Sequence, residues 1–216
     1  MPIARKRPQQ YREATYEKLL QAAAKEFNER GFGGTDSNRI ARRAGFAPQT
    51  FYRWFDHKVE IFIKTYERWV REEFADVAKL MAENASDARV VQTLVAHHRA
   101  YLIFRRSLRE LSVENAVVRA ARARSRKDQI ARLRSLNPNI ALDDGSMAAT
   151  LLQTERLADA LAEGEFRDMG LNKKAGEVAL ARLIHELRTR SRLLTPRPRP
   201  PESSPLATCQ NRHDTR

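Results

Sequence analysis

The chain has 216 residues, 42% of them hydrophobic, which is sufficient for one or two domains with a packed core. Its net charge of +13 favours an anionic partner, either nucleic acid or an anionic membrane. The single cysteine, Cys209, excludes an intramolecular disulfide framework and is typical of a reducing cytoplasm. Because no run of 18 apolar residues is present, we expect a cytoplasmic protein that is neither secreted nor membrane-spanning.

The N-terminal residues 1–9 form a basic segment that precedes the first predicted helix. Arg5, Lys6 and Arg7 are either an arm that reaches into a minor groove or a solvated tail. The helix that follows is predicted over residues 10–30 and ends at Gly31. Its apolar face consists of Leu19, Leu20, Ala23 and Phe27.

Residues 35–58, TDSNRIARRAGFAPQTFYRWFDHK, predict two short helices joined by a tight turn. Gly45 can end the first helix at positive φ without a Cβ clash. Pro48 suits the first turn of the second helix, where its missing N–H would have no helical partner. Phe51 and Phe55, four residues apart, are predicted to face inward. This pattern is a helix-turn-helix and predicts DNA binding.

The outward face of the second helix carries Gln49, Thr50, Tyr52, Arg53 and Trp54. These side chains include donors suited to base edges and to phosphates. For the two aromatic residues, packing against the first and fourth helices is an alternative to DNA contact.

Several spaced motifs closely resemble the DNA-binding domain of tetracycline-repressor-type (TetR family) regulators. The motifs are F-N-E-R-G-F (27–32), Thr35, I-A-R-R-A-G (40–45), T-F-Y-R-W-F (50–55) and Lys58. The resemblance covers about residues 12–62. It implies an all-α protein of about nine helices. A three-helix head at residues 10–58 would bind DNA, and a helical body at 59–194 would bind an effector and form a homodimer.

The resemblance also implies a repressor that binds a palindromic operator in double-stranded DNA and is released by a small-molecule effector. Two positions depart from the family's pattern: Ala47 stands where a Ser cap is usual, and Ser37 where an apolar residue is common. The predicted DNA contacts are Thr35, Ser37, Pro48, Gln49, Thr50, Tyr52, Arg53, Trp54 and Lys58. Among them, Gln49 and Arg53 are the candidates for base reading. Lys58 and the Thr35 hydroxyl are candidates for phosphate contact.

The rest of the chain also predicts helices. A long helix is expected after Asp56 as N-cap, with an apolar stripe that includes Tyr66 and Trp69. Further helices are predicted over 88–108, 113–136, 146–163 and 173–192, with turns at 137–139 and 164–172. Each of the last two helices carries an apolar stripe, and the resemblance to TetR-type regulators implies that they form the dimer interface, with Leu183 and Leu187 on its surface. Residues 195–216, with five prolines, are predicted to be a disordered tail.

A candidate effector pocket lies on the inward face of the helix predicted at 88–108. His98 and Arg105 stand two turns apart among apolar positions, and a polar group there needs either a partner or a cavity. They are therefore either pocket residues for an anionic or polar effector or core residues paired with Glu or backbone groups. Tyr66, Trp69 and Tyr101 could line the same cavity or simply pack in the core.

The basic run at residues 105–134 has 10 Lys+Arg against 3 Asp+Glu. Such a run is usually a solvated face, but it also suggests two alternatives: an architectural DNA-binding protein without an effector, or a basic module on anionic membranes. The sequence predicts no enzyme, metal site or cofactor, because ligand spacings and phosphate-binding loops are missing from it.

Overall fold

The computed structural model describes residues 9–188, and the described part of the chain is helical without any β-strand. The helices are α1 (Gln9–Arg30), α2 (Ser37–Arg43), α3 (Pro48–Tyr52), α4 (Lys58–Ala82), α5 (Asp87–Ala100), α6 (Leu102–Glu114), α7 (Ala116–Leu136), α8 (Asp144–Glu163), α9 (Glu165–Asp168) and α10 (Lys174–Arg188). The all-α prediction is confirmed. The basic arm up to residue 8, residues 189–192 of the last predicted helix and the predicted tail at 195–216 lie outside the described residues.

The turn between α2 and α3 follows the local sequence signals. The Asp36 carboxylate accepts a hydrogen bond from the Arg39 N–H at 2.7 Å and caps α2. Gly45 has φ 79°, a conformation that glycine adopts without strain, and Pro48 is the first residue of α3. Ala47 precedes it in an extended conformation and provides no side-chain cap.

Aromatic side chains join the three head helices to the body. Phe51 and Phe55 are buried with ring centroids 5.5 Å apart, which confirms their predicted inward orientation. Phe27 of α1 lies edge-on to Phe62 of α4 at 5.0 Å, and Phe62 lies 4.8 Å from Phe104 of α6. One hydrophobic core therefore extends from the helix-turn-helix into α4 and α6.

The long helix α4 begins one residue later than predicted. Its N-cap is His57 and not Asp56. The Asp56 N–H instead donates to the Glu60 carboxylate at 2.8 Å, so a side chain inside the helix caps the preceding backbone. The predicted apolar stripe is confirmed, since Tyr66 and Trp69 are buried with most of the neighbouring apolar residues.

The single helix predicted at 88–108 was wrong, because the chain breaks at Tyr101 into α5 and α6. Tyr101 has φ −119° and ψ 30°, and its N–H donates to the His98 carbonyl oxygen three residues back. Asn28 of α1 binds both sides of the break: its side chain donates to the Ala100 carbonyl oxygen at 2.6 Å and accepts a longer bond from the Phe104 N–H at 3.5 Å. These bonds provide partners for backbone groups that a continuous helix would have paired internally.

The remaining helices of the body pack α5, α8 and α10 together, with α7 against α4 and α8. Helix α7 starts at Ala116 after the Asn115 cap, and α8 starts at Asp144 after Asp143, each within three residues of the predicted start. The short helix α9 lies within the turn expected after α8. Gly164, at φ 86°, ends α8. Leu187 packs with Ile130, Leu133, Ile140 and Met147 in a core cluster, so its predicted position on a dimer surface was wrong.

Candidate nucleic-acid interface and buried cavity

The outer face of α3 carries two exposed side chains, Gln49 and Tyr52, and the exposed Arg53 follows as the C-cap of the helix. Pro48 and Thr50 are half-buried beside them. Because Phe51 fixes the opposite face in the core, these side chains are held on one rigid turn and point away from the body of the protein. Their amide, hydroxyl and guanidinium groups match the donors and acceptors of base edges and phosphates.

The two outward aromatic residues behave differently. Tyr52 is 57% exposed, and its hydroxyl lies 2.7 Å from the Ser37 hydroxyl of α2, which joins the two helices of the motif. Trp54 is half-buried, with its ring 5.8 Å from that of Tyr16 and under the Arg12 guanidinium. Trp54 therefore packs against the first helix, as one of the two predictions has it, whereas Tyr52 is exposed.

Thr35 and Lys58 use their polar side-chain atoms inside the head. The Thr35 hydroxyl is buried and donates to the Glu26 carbonyl oxygen at 3.2 Å. Lys58 Nζ donates to the carbonyl oxygens of Phe32 and Thr35, each at 2.8 Å, and lies over the Phe32 ring. Burial lowers the pKa of Lys58 from its ordinary value. The phosphate contacts predicted for these two side chains do not fit this arrangement, in which both fix the loop between α1 and α2.

A cavity of about 100 Å³ lies between α4, α5, α7, α8 and α10. Four of the five residues predicted for an effector pocket line it: Tyr66, Trp69, His98 and Arg105. Tyr101 does not, because its ring packs against those of His97, Trp69 and Phe104. Most of the lining is apolar, and the charged groups come from α4, α5, α6, α7 and α8.

Arg105 is 1% exposed and fully engaged by carboxylates from α8. Its Nε and Nη2 donate to the two oxygens of Asp159, each at 3.0 Å, and Nη2 also donates to Glu155 at 3.0 Å. Its guanidinium lies over the Trp69 ring, 4.5 Å from the centroid. Arg105 is therefore a core residue paired with acidic residues, as the second of the two predictions has it. It also lies at the edge of the cavity.

His98 completes this cluster from α5. Its Nδ1 lies 2.8 Å from Asp159 Oδ1, and its Nε2 forms an ion-pair contact of 2.9 Å with Glu73 that lacks good hydrogen-bond geometry. Burial by itself lowers the pKa of His98, but the two carboxylates outweigh burial, so the pKa is raised.

The acidic partners also have shifted pKa values. Burial raises the pKa of Glu155, but the positive charges of Arg105, Arg122 and Arg126 outweigh it and bring the pKa to about 2. In the same way, His98 and Arg105 outweigh burial and hold the pKa of Asp159 well below its ordinary value. Both carboxylates are therefore ionised at neutral pH.

The acidic half of this cluster was not predicted from the sequence. Glu155 and Asp159 stand four residues apart on α8, where the spacing places them on one face, and Asp159 is buried. That spacing of carboxylates on a helix with many buried positions was the available signal. Glu73 lies on α4 among residues that gave no comparable signal.

Much of the basic run at 105–134 is neutralised by carboxylates of α8. Arg105, Arg109, Arg122 and Arg126 form ion pairs with Glu155, Asp159 or Glu163, and Arg134 pairs with Asp144. The exposed remainder includes Arg124 and Lys127. The run is therefore in large part an internal ion-pair network between α6, α7 and α8.

Within residues 9–188, no cluster of His, Cys, Asp and Glu could hold a metal ion. None of the helices in this described part of the chain is long and apolar enough to cross a membrane.

The described chain is all-helical, with a helix-turn-helix head and a helical body that contains a cavity. Residues 19–65 match the family model for bacterial regulatory proteins of the tetR family. The head therefore matches the TetR-type DNA-binding domain over these residues, and the described chain shares its fold with solved TetR-family transcriptional regulators.

Solved structures with this fold include a TetR-family transcriptional regulator from Rhodococcus sp., at 16% identity and a TM-score of 0.63, covering 82% of this chain and 100% of that one. The fatty acid degradation regulator FadR from Bacillus halodurans has 15% identity and a TM-score of 0.56, covering 82% and 96%. FadR from Bacillus subtilis in complex with stearoyl-CoA has 18% identity and a TM-score of 0.55, covering 81% and 98%. No curated protein matches the chain in sequence.

Proposed function

We propose that this protein is a sequence-specific DNA-binding transcriptional regulator that acts as a repressor. The observation that carries the proposal is the outer face of α3, where Gln49, Tyr52 and Arg53 are exposed while Phe51 is locked in the core. Gln49 and Arg53 have the chemistry for adenine and guanine edges, respectively. The hydroxyls of Ser37, Thr50 and Tyr52 would contact the DNA backbone beside them.

We further propose a homodimer formed through α8 and α10. Two large apolar side chains, Leu152 of α8 and Val178 of α10, are 47% and 42% exposed on these helices. Burying such residues against a second copy would remove apolar surface from water. A two-fold dimer would present two copies of α3 to a palindromic operator at a spacing of about 34 Å, one helical turn of DNA.

The cavity supports a role for a small-molecule effector that releases the DNA. Helix α4 begins at Lys58 in the head and carries Tyr66 and Trp69 along the cavity wall, so a ligand that displaces α4 would move the head. Weakening operator affinity 100-fold needs about 2.7 kcal/mol of coupling between the two sites. The Bacillus subtilis neighbour was solved with stearoyl-CoA; a cavity of about 100 Å³ would have to enlarge greatly to admit an acyl chain of that length.

An architectural DNA-binding role is the alternative, and it depended on the basic run outside the head. The ion pairs of Arg105, Arg122 and Arg126 with α8 leave less of that charge free for DNA. The sequence-specific proposal is therefore preferred.

A selection of bound fragments from random or genomic DNA, followed by footprinting, tests the proposal. A regulator of this kind would enrich one palindromic sequence and protect it as a single site. Uniform enrichment and continuous protection along the DNA would favour the architectural alternative. Failure to bind any DNA would overturn both.

A further inference from the structure

Every charged side chain that lines the cavity already has an oppositely charged partner. Arg105 binds Asp159 and Glu155, and Arg126 binds Glu155 at 2.7 Å. His98 lies between Asp159 and Glu73 at 2.8 and 2.9 Å. A charged ligand would therefore have to break one of these pairs, leaving a buried charge without its partner, which is costly.

Two uncharged polar atoms on the same lining lack partners. Among the described residues, the buried Nε1 of Trp69 and the buried Oγ1 of Thr154 have no hydrogen-bond partner. Trp69 is 3% exposed, and it borders both this cavity and a second pocket beside Thr65 and Tyr101. A buried polar group without a partner is unfavourable, and a bound molecule that supplies one would be stabilised.

The size and surface of the cavity restrict the rest of the ligand. Its apolar wall includes Val70, Val77, Leu94, Leu133, Leu151 and Ile184. A dry apolar cavity of about 150 Å³ can hold benzene, so the volume of about 100 Å³ found here suits one ring or a short alkyl chain after small side-chain adjustments.

We propose that the cavity binds a small, uncharged molecule with a ring-sized or short alkyl body and a hydroxyl group. Both polar atoms are buried in the unliganded protein, so small side-chain movements would let the hydroxyl accept from Trp69 Nε1 or pair with Thr154 Oγ1, while the apolar body contacts the aliphatic wall. This inference rests on the proposed function only in taking the cavity as the effector site. It narrows the expectation of an anionic or polar effector to an uncharged polar one, because the cation that suggested an anion, Arg105, is held by two carboxylates.

Four probes of similar size and different polarity test the ligand class: phenol, toluene, benzoate and benzylamine. Calorimetric titration of the full chain without DNA should give saturable binding of phenol and about tenfold weaker binding of toluene, since toluene lacks one hydrogen bond. Benzoate and benzylamine should show no saturable binding at neutral pH. Benzoate or benzylamine binding as tightly as phenol, or no binding of phenol, would overturn the proposal.

A matched variant tests the polar contact. Thr154→Val keeps the shape of the side chain and removes the hydroxyl, so it should weaken phenol binding by about five- to tenfold and leave toluene binding unchanged. Thr93→Val, a half-buried position of α5 that does not line the cavity, should change neither. Equal losses for phenol and toluene in Thr154→Val would indicate a change of cavity shape and would overturn the assigned hydroxyl contact.

Operator binding is measured separately on the same samples. Phenol binding that leaves operator affinity unchanged would support the ligand class and contradict release by an effector in this cavity. Specific operator binding without any phenol binding would support the regulator and overturn the ligand class.

Discussion

Arg105 and Asp159 are joined by two parallel hydrogen bonds, each 3.0 Å long, between α6 and α8. Both side chains are buried, and the ion pair is bidentate, because two guanidinium nitrogens each donate to a different carboxylate oxygen. The same Asp159 also contacts His98 and Arg109, so three helices meet at one carboxylate. This carboxylate holds the α5–α6 segment against α8.

Replacing Arg105 by Ala should destabilise the fold. The change leaves Asp159 and Glu155 buried with fewer cations, and breaking a buried ion pair in this way costs about 3–5 kcal/mol. Urea unfolding measures the effect. Arg106→Ala, at the exposed neighbouring position, should change stability by less than about 0.5 kcal/mol. Equal stability of Arg105→Ala and wild type would show that the ion pair makes no net contribution to the free energy of unfolding.

Stability should fall as the pH rises past neutrality, through His98. Because the pKa of His98 in the folded protein is raised above its ordinary value of 6.5, its contribution is complete below that value and is lost as the pH rises through the folded-state pKa. Unfolding free energies between about pH 6 and about pH 9 should show this loss in wild type. The loss should be absent in His98→Gln and retained in His57→Gln, whose position is exposed. An identical pH dependence in His98→Gln would assign it to other groups.

Lys58→Ala should lower the stability of the head without changing the salt dependence of DNA binding. The substitution removes two hydrogen bonds from a cation to the carbonyl oxygens of Phe32 and Thr35, an effect of about 2–4 kcal/mol at partial burial. Thermal unfolding and DNA titrations over a range of salt concentrations measure the two quantities. If the variant lowered the slope of log affinity against log salt concentration by about one ion, Lys58 would contact a phosphate, as expected from the sequence.

Arg53→Ala should relax the preference for one base pair in each half-site, at a cost of about 1–3 kcal/mol in specific binding. The side chain is exposed at the C-terminal end of α3, so its removal should leave the unfolding free energy nearly unchanged. Sequencing of selected DNA gives the preference. Arg167→Ala, at another exposed arginine, on α9, is the charge-matched control and should retain the original preference. An unaltered preference in Arg53→Ala would remove this residue from base reading.

Val178→Glu and Leu152→Glu should produce folded monomers that bind the operator weakly. Each places a charge on the proposed dimer surface without entering the core. Light scattering gives the mass and circular dichroism the helix content. Val113→Glu, at a position that is 79% exposed on α6, should remain dimeric. Dimers in both interface variants would place the contact elsewhere.

The parts of the fold that follow from neighbouring residues could be predicted from the sequence. Gly45 and Pro48 define the turn through their own backbone preferences, and Phe51 and Phe55 share a face because they are four residues apart. These features depend on contacts within one or two helical turns. The same local reasoning identified the inward direction of His98 and Arg105.

The parts that depend on distant residues could not be predicted in this way. Asp159 meets His98 across 61 positions of sequence, and Lys58 meets the Phe32 carbonyl across 26. The break at Tyr101 has no glycine or proline to indicate it; its stabilising partner, Asn28, is more than 70 residues away. Such pairings arise from tertiary packing, which overrides local helix propensity.

The bond from Asn28 to the Ala100 carbonyl oxygen has a consequence for the autonomy of the two domains. A fragment containing only the body would lose the Asn28 side chain that binds the backbone on both sides of the break between α5 and α6, together with the contact of Phe27 with Phe104. The α5–α6 corner is therefore stabilised by side chains of both the head and the body. Head and body should unfold in one cooperative transition instead of two.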